Sequence, residues 1–261
     1  MEPPALVFWR TALASVFFFL FCRLKSPPLL TISRRHCFLS IAAGSLLGMH
    51  WLCFFGAVSI SNVSIGLAGF AATCLFTALL EPLIHRRKPD TPQLLLAGLV
   101  AVGILLIAGA KTEVPNAAPG LLLAILGAFL AAAYSLLSKH LVEASVPGPT
   151  IMAYQIAAAN VAVLLSILFL PSFHFETPVS QDWLPLLVLS IACTFIAYLW
   201  YARMLQHLST YTVNLAMNFE PVYGILLAAF FFAEHESLTP LFYLGTFIIL
   251  VANGLHSRQP Q

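Results

Sequence analysis

The chain has 261 residues, 60% of them hydrophobic and 8% charged, with a net charge of +2 and a mean hydropathy of +0.93. Soluble domains carry about 25% charged residues, so this composition excludes an ordinary soluble enzyme and places the chain in a membrane. No lysine-arginine run is interleaved with aromatics, so nucleic-acid binding has no support. The five cysteines (Cys22, Cys37, Cys53, Cys74, Cys193) form no CxxC or Cys/His pattern that would hold a metal.

A bilayer core of about 30 Å needs roughly 20 apolar residues per helix. Nine segments meet that need, near 4–22, 37–58, 62–84, 92–110, 118–140, 149–170, 183–204, 211–233 and 239–256. Breaks carry their own punctuation at Pro27, Asn62, Pro89, Pro119, Pro147 and Pro240. The first segment has the length of a signal peptide. Arg10 interrupts it, however, and eight more spans follow, so it reads as a retained helix.

Charge sets the expected orientation. With the first terminus outside, ten of the twelve basic residues fall on the cytoplasmic side: Arg23, Lys25, Arg34, Arg35, Arg86, Arg87, Lys88, Lys139, Arg203 and Arg258. That asymmetry predicts an external N-terminus and a cytoplasmic C-terminus.

An internal repeat accompanies the spans. An offset of 147 places Gly56–Leu106 on Arg203–Asn253, with Leu79-Leu80 on Leu226-Leu227 and Gly98 on Gly245. An offset of 145 places Pro4 on Pro149 and Trp9 on Tyr154. The helix at 118–140 has no upstream counterpart. The expected organisation is therefore a first repeat over 1–111, with four helices and its first helix missing, and a second over 118–256 with five. Five is odd, so the two copies are expected to enter the membrane inverted, as in transporters whose solute sits where the repeats meet.

Polar residues inside the spans are the candidate site. The segment Tyr211–Ala233 carries Asn214, Asn218 and Glu220 in its first half, and Pro221 follows the glutamate. A carboxylate at mid-membrane costs about 2.5–3.5 kcal/mol on insertion scales, which marks it as a functional candidate. The proline weakens the preceding turn. Counted from the cytoplasmic helix ends at 1.5 Å per residue, Glu220, Asn218, Asn160 and His50 lie about nine, seven, eleven and thirteen residues deep, in the middle band. Glu220 reads either as a coupling carboxylate or as a protonated group packed in the bundle. His50 reads as a proton partner or as a hydrogen-bonded bundle histidine. Trp51, Tyr134, Tyr198, Trp200 and Tyr201 either line a cavity, where they would stack on a flat or cationic solute, or fill the core and the interfaces. Arg10 either snorkels to headgroups or holds a carboxylate. Asn62-Val63-Ser64 matches a glycosylation sequon but abuts a helix, so it is expected to go unused.

His50–Leu83 (HWLCFFGAVSISNVSIGLAGFAATCLFTALLEPL) and Leu199–Pro240 (LWYARMLQHLSTYTVNLAMNFEPVYGILLAAFFFAEHESLTP) resemble the drug/metabolite transporter superfamily, in its EamA-type branch. The match extends to the acidic residue after the family's ninth helix, here Glu234. The resemblance implies ten helices in two inverted five-helix repeats, the first helix being absent ahead of Pro3 through a displaced start or a truncation. It also implies a permease of the cell (inner) membrane that exports amino acids or related small polar metabolites.

No HExxH, GxSxG or P-loop occurs, so enzyme chemistry and cofactors are not expected. The reading is an all-α integral membrane protein acting as a secondary transporter by alternating access, with Glu220, Asn218, Asn214, Asn160, His50, Trp51, Tyr134, Tyr198 and Tyr201 as candidate solute contacts. Its expected partners are a small polar metabolite and the lipid bilayer, with a homodimer as the candidate assembly. The alternative is a non-transporting membrane scaffold, or a degenerate carrier subunit that needs a second chain.

Overall fold

Long apolar runs, broken by proline and small polar residues, fold here into helices. The computed structural model describes residues 1–25, 31–85, 91–110, 113–169, 176–217 and 220–256, and they form no strand. The α-helices are α1 (Pro3–Lys25), α2 (Arg34–Ile60), α3 (Val63–Phe70), α4 (Thr73–His85), α5 (Thr91–Gly109), α6 (Ala117–Glu143) and α7 (Gly148–Leu168). They continue with α8 (Trp183–Ser190), α9 (Ala197–His207), α10 (Thr210–Met217), α11 (Glu220–Phe232) and α12 (Pro240–His256). A π-helical segment, Ile191–Ile196, joins α8 to α9. Seven spans among the described residues are long and apolar enough to cross a membrane, and α11 and α12 contain shorter apolar stretches. The protein is an all-α, multi-pass membrane protein.

Each expected span corresponds to one helix or to two in tandem. Two spans are interrupted where the sequence reading ran straight through. The span at 62–84 divides after Phe70, where Ala72 N–H bonds Gly69 O at 3.1 Å and the Thr73 hydroxyl bonds Phe70 O at 2.7 Å. Gly69 lies within this tightened turn, and no proline marks it. The span at 183–204 contains the π-helical turn. The expected breaks at Pro27 and Pro89, together with Arg86, Arg87, Lys88, Lys111 and Arg258, lie outside the described residues.

The offset of 147 reappears in the element limits. Added to the first residue of α3 it returns that of α10, and added to the last residue of α2 it returns that of α9. The offset of 145 likewise carries the first residue of α1 onto that of α7.

The chain divides into two compact units. One consists of Met1–Leu52 with Tyr134–Ser209, the other of Cys53–Ala133 with Thr210–Gln261. In the first, α1 packs against α7 and α8, and α7 against α9. There α2 approaches α7 closely: a Cβ on Gly48 would stand 2.7 Å from Ala159 O. Small residues of this kind let helix backbones approach in a membrane.

In the second unit, α5 packs on α12, α3 on α11, and α4 on α10. The pair α3–α11 maps onto the pair α10–α4 under the offset, so the two contacts are repeat-related. Gly103 and Gly245 mark the crossing of α5 and α12. A Cβ on either would meet the other's carbonyl oxygen, at 2.7 Å and 2.6 Å.

Candidate functional site

The first unit places four of the candidate residues in a chain that starts at a buried cation. Arg10 sits within the apolar helix α1, 8% exposed. Its guanidinium lies over the Trp51 ring at 4.6 Å. Its Nε donates to Thr194 Oγ1 at 2.7 Å and a terminal nitrogen to Cys193 O at 3.3 Å. Of the two readings of Arg10, snorkelling is the one the geometry rejects. The side chain turns inward.

The π-helical turn enables this arrangement. Its extra residue per turn widens the backbone, and the Thr194 hydroxyl donates to Leu189 O, five residues back, at 2.7 Å. That fixes the hydroxyl hydrogen and aims a lone pair at the guanidinium. π-bulges in membrane and soluble helices recur at functional sites for such reasons.

The aromatic residues form a continuous chain from this cation. Trp51 meets Tyr198 edge-on with ring centroids 5.7 Å apart. Tyr198 contacts Tyr201 at 5.8 Å and Tyr134 at 6.3 Å. Tyr134 and Tyr201 stack at 5.9 Å with their planes 17° apart. The hydroxyl of Tyr134 reaches Met152 Sδ at 3.9 Å. The buried Tyr201 hydroxyl closes no hydrogen bond of good geometry among the described residues, although Ser135 lies near it. His50, one residue before Trp51 on α2, is also buried. Trp200, considered with these aromatics, is 65% exposed and stands apart from them.

Asn160 lies on α7, and its Nδ2 donates to Phe8 O and to Thr11 Oγ1 on α1, each at 2.9 Å. It ties α1 to α7. Gln155, which sequence reading passed over, does the same between α7 and α6 through Ser138 at 3.0 Å.

The second unit holds the remaining candidates. Asn214 is buried on α10 and donates to Thr77 Oγ1 on α4 at 2.9 Å. Glu220 opens α11, and its side chain is exposed. Asn218 lies outside the described residues. Glu234, noted in the sequence as the acidic residue after this helix, reaches back to α3. Its two carboxylate oxygens accept the Val63 and Ser64 amides at 3.0 Å and 2.9 Å. Asn62 completes the cap, its Oδ1 accepting the Ile65 amide at 2.9 Å. Three of the orphan amides that open every helix are thus satisfied. The side chain of the sequon asparagine is engaged as a helix cap.

Sequence reading weighed Arg10 between headgroups and a carboxylate without placing it among the solute contacts, and it passed over Thr194. The only signal for Arg10 was a charge inside an apolar run, and nothing in IACTFI announces a π-helical turn. Among the described residues no group of histidine, cysteine or carboxylates is placed to hold a metal.

The family model for EamA-like transporters matches residues 1–109 and 118–257. No curated protein matches the chain. A protein of known crystal structure aligns with a TM-score of 0.69 and 19% identity, covering 98% of this chain and 88% of its own. Likeness at that identity concerns the fold.

Proposed function

Because this chain belongs to the EamA-like transporter family, we propose that it is a secondary active carrier that exports amino acids or related small polar metabolites across the inner membrane. The observation that carries this reading is the buried guanidinium of Arg10 on the face of Trp51, at the end of a chain of three tyrosines. A charge inside an apolar span is costly and is retained where a solute or ion uses it. A guanidinium's charge suits a carboxylate, while indole and phenol faces accept an ammonium or a flat side chain. A zwitterion suits that pairing.

Residues 1–111 and 118–256 act in this account as two inverted repeats working by alternating access. The N-terminus is external and the C-terminus cytoplasmic, on the strength of the basic-residue asymmetry. Glu220 binds the coupling proton or a substrate ammonium, and His50 is a further proton carrier. Asn160 and Asn214 shape the site through the helices they tie together, and Asn218 belongs with them by its place beside Glu220. The bilayer and a small polar metabolite are the partners, and a homodimer is the assembly.

The test is amino-acid flux in proteoliposomes under an imposed pH gradient. Flux in the native chain should follow the gradient, and Glu220→Gln should move solute without that dependence. Unchanged coupling in the variant rejects the proton-coupling role.

A further inference from the structure

One end of the first unit carries a pocket that shares no lining residue with Arg10 and its aromatic chain. The C-terminal turn of α1, the C-terminal turn of α9 and the first turn of α7 converge there around a volume of about 150 Å³. Its polar wall is Lys25, Arg203 and Gln206, and its apolar wall includes Phe21 and Leu199. Gly148 forms the edge at the start of α7, where a Cβ would stand 3.0 Å from Ala202 Cβ and 3.9 Å from Gln206 Nε2. Any larger residue there would narrow the pocket.

Four observations point to the same ligand chemistry. Lys25 and Arg203 form no ion pair among the described residues. The Lys25 ammonium rests over the Phe21 ring at 5.5 Å, held on the pocket's rim by that apolar face. The start of α7 has no side-chain cap, so the positive end of its dipole adds to the two cations. The nearby Lys139 is engaged elsewhere, donating to Leu205 O and Leu208 O at 2.8 Å and 3.0 Å, which satisfies the carbonyls that end α9. That leaves Lys25 and Arg203 uncommitted to the helix end beside them.

We propose that this pocket binds a phosphate-bearing anion, with Arg203 and Lys25 clamping the phosphate, Gln206 donating a further hydrogen bond, and Phe21 and Leu199 receiving an adjoining apolar chain. Arg203 matches phosphate oxygens in a bidentate fork, and Lys25 acts as a point charge. All three helix ends belong to spans long and apolar enough to cross a membrane, and at the headgroup level such ends reach, an anionic phospholipid would supply both the phosphate and the acyl chain. A soluble phosphate supplies the phosphate alone.

Native mass spectrometry of the full chain, extracted from phosphatidylglycerol or phosphatidylcholine nanodiscs, tests the assignment. Inorganic phosphate binding in phosphatidylcholine nanodiscs tests the soluble source. The variant is Lys25→Gln with Arg203→Gln, and the control is Arg34→Gln with Arg35→Gln, which removes an equal charge at the start of α2. Each cation is expected to contribute about fivefold to lipid retention. The pocket variant should therefore retain phosphatidylglycerol roughly twenty-five-fold less, and the control should match the native chain. Loss of inorganic phosphate binding in the same variant alone would assign the site to a soluble phosphate. Equal losses in pocket and control variants, or no loss in either, overturn the proposal. Size-exclusion profiles confirm that both variants remain folded, and Leu199→Trp, which fills the pocket and leaves the charges in place, should also reduce retention.

Discussion

Asn214 donates a 2.9 Å hydrogen bond to Thr77 Oγ1 at the one place where the repeat-related contact is wholly apolar. Under the offset of 147, Leu67 corresponds to Asn214 and Thr77 to Gly224. Leu67 packs into the space over Gly224, where a Cβ would collide with the leucine side chain. The same two positions thus hold α3 to α11 by a knob in a hole and α10 to α4 by a buried polar pair. Asn214 and Thr77 are 2% and 0% exposed, so water does not substitute for their bond. Interhelical hydrogen bonds in membranes average about 0.6 kcal/mol and reach roughly 1.7. Asn214→Ala should therefore lower the unfolding temperature in detergent measurably but modestly. Thr77→Val should match it, and a double-mutant cycle should show the two losses to be one.

The repeat relation itself can be tested by grafting one contact onto the other. Asn214→Leu alone overpacks against Thr77, at a cost of about 1–3 kcal/mol. Adding Thr77→Gly rebuilds the Leu67–Gly224 geometry and should recover most of that loss, less about 1 kcal/mol for glycine within a helix. Thermal unfolding of the single and double variants decides it. A double variant less stable than the leucine variant alone would mean the two contacts are not equivalent.

Arg10 and Thr194 provide a second measurement. Hydrogen bonds to charged groups contribute about 1.5–3 kcal/mol, and Thr194→Val removes one without changing shape. The variant should unfold earlier than the native chain, and Arg10→Lys should unfold earlier too, because an ammonium cannot reproduce the guanidinium's stacking on Trp51. Fluorescence of Trp51 should shift in both.

Glu234 satisfies two amides of α3 from the turn after α11, so its removal acts at a distance in sequence. Loss of an N-terminal cap costs about 0.5–2 kcal/mol. Glu234→Ala should fall in that range, while Glu234→Gln, which keeps one acceptor and loses the charge that favours a helix N-terminus, should fall between it and the native chain. Hydrogen exchange at Val63 and Ser64 should rise in the same order.

Much of the helical framework was legible because hydropathy and proline placement mark membrane helices strongly. The turn expected to weaken before Pro221 falls on residues 218 and 219, outside the described residues. The division after Phe70 was not legible, because Ala71 and Ala72 carry no breaker. The candidate site was legible in its residue types more than in its arrangement. Trp51, Tyr134, Tyr198 and Tyr201 were singled out as aromatic, but only tertiary packing of α2, α6 and α9 brings them into one chain. Arg10 stood out as a charge, yet which way it turned depended on Thr194, whose reach comes from a π-helical turn with no sequence signal. Asn62 stood in the sequence as a break and a sequon, and the geometry at Ile65 makes it a helix cap.

The most direct measurement is metabolite profiling of the medium of cells expressing the native chain, Trp51→Ala or Tyr198→Ala at matched membrane levels. Each substitution breaks the aromatic chain that extends from Arg10. The account predicts that the native chain releases specific amino acids or their close relatives, and that both variants lose that release. Release that continues unchanged in both variants would contradict the site. No specific release from the well-inserted native chain would contradict its role as an exporter.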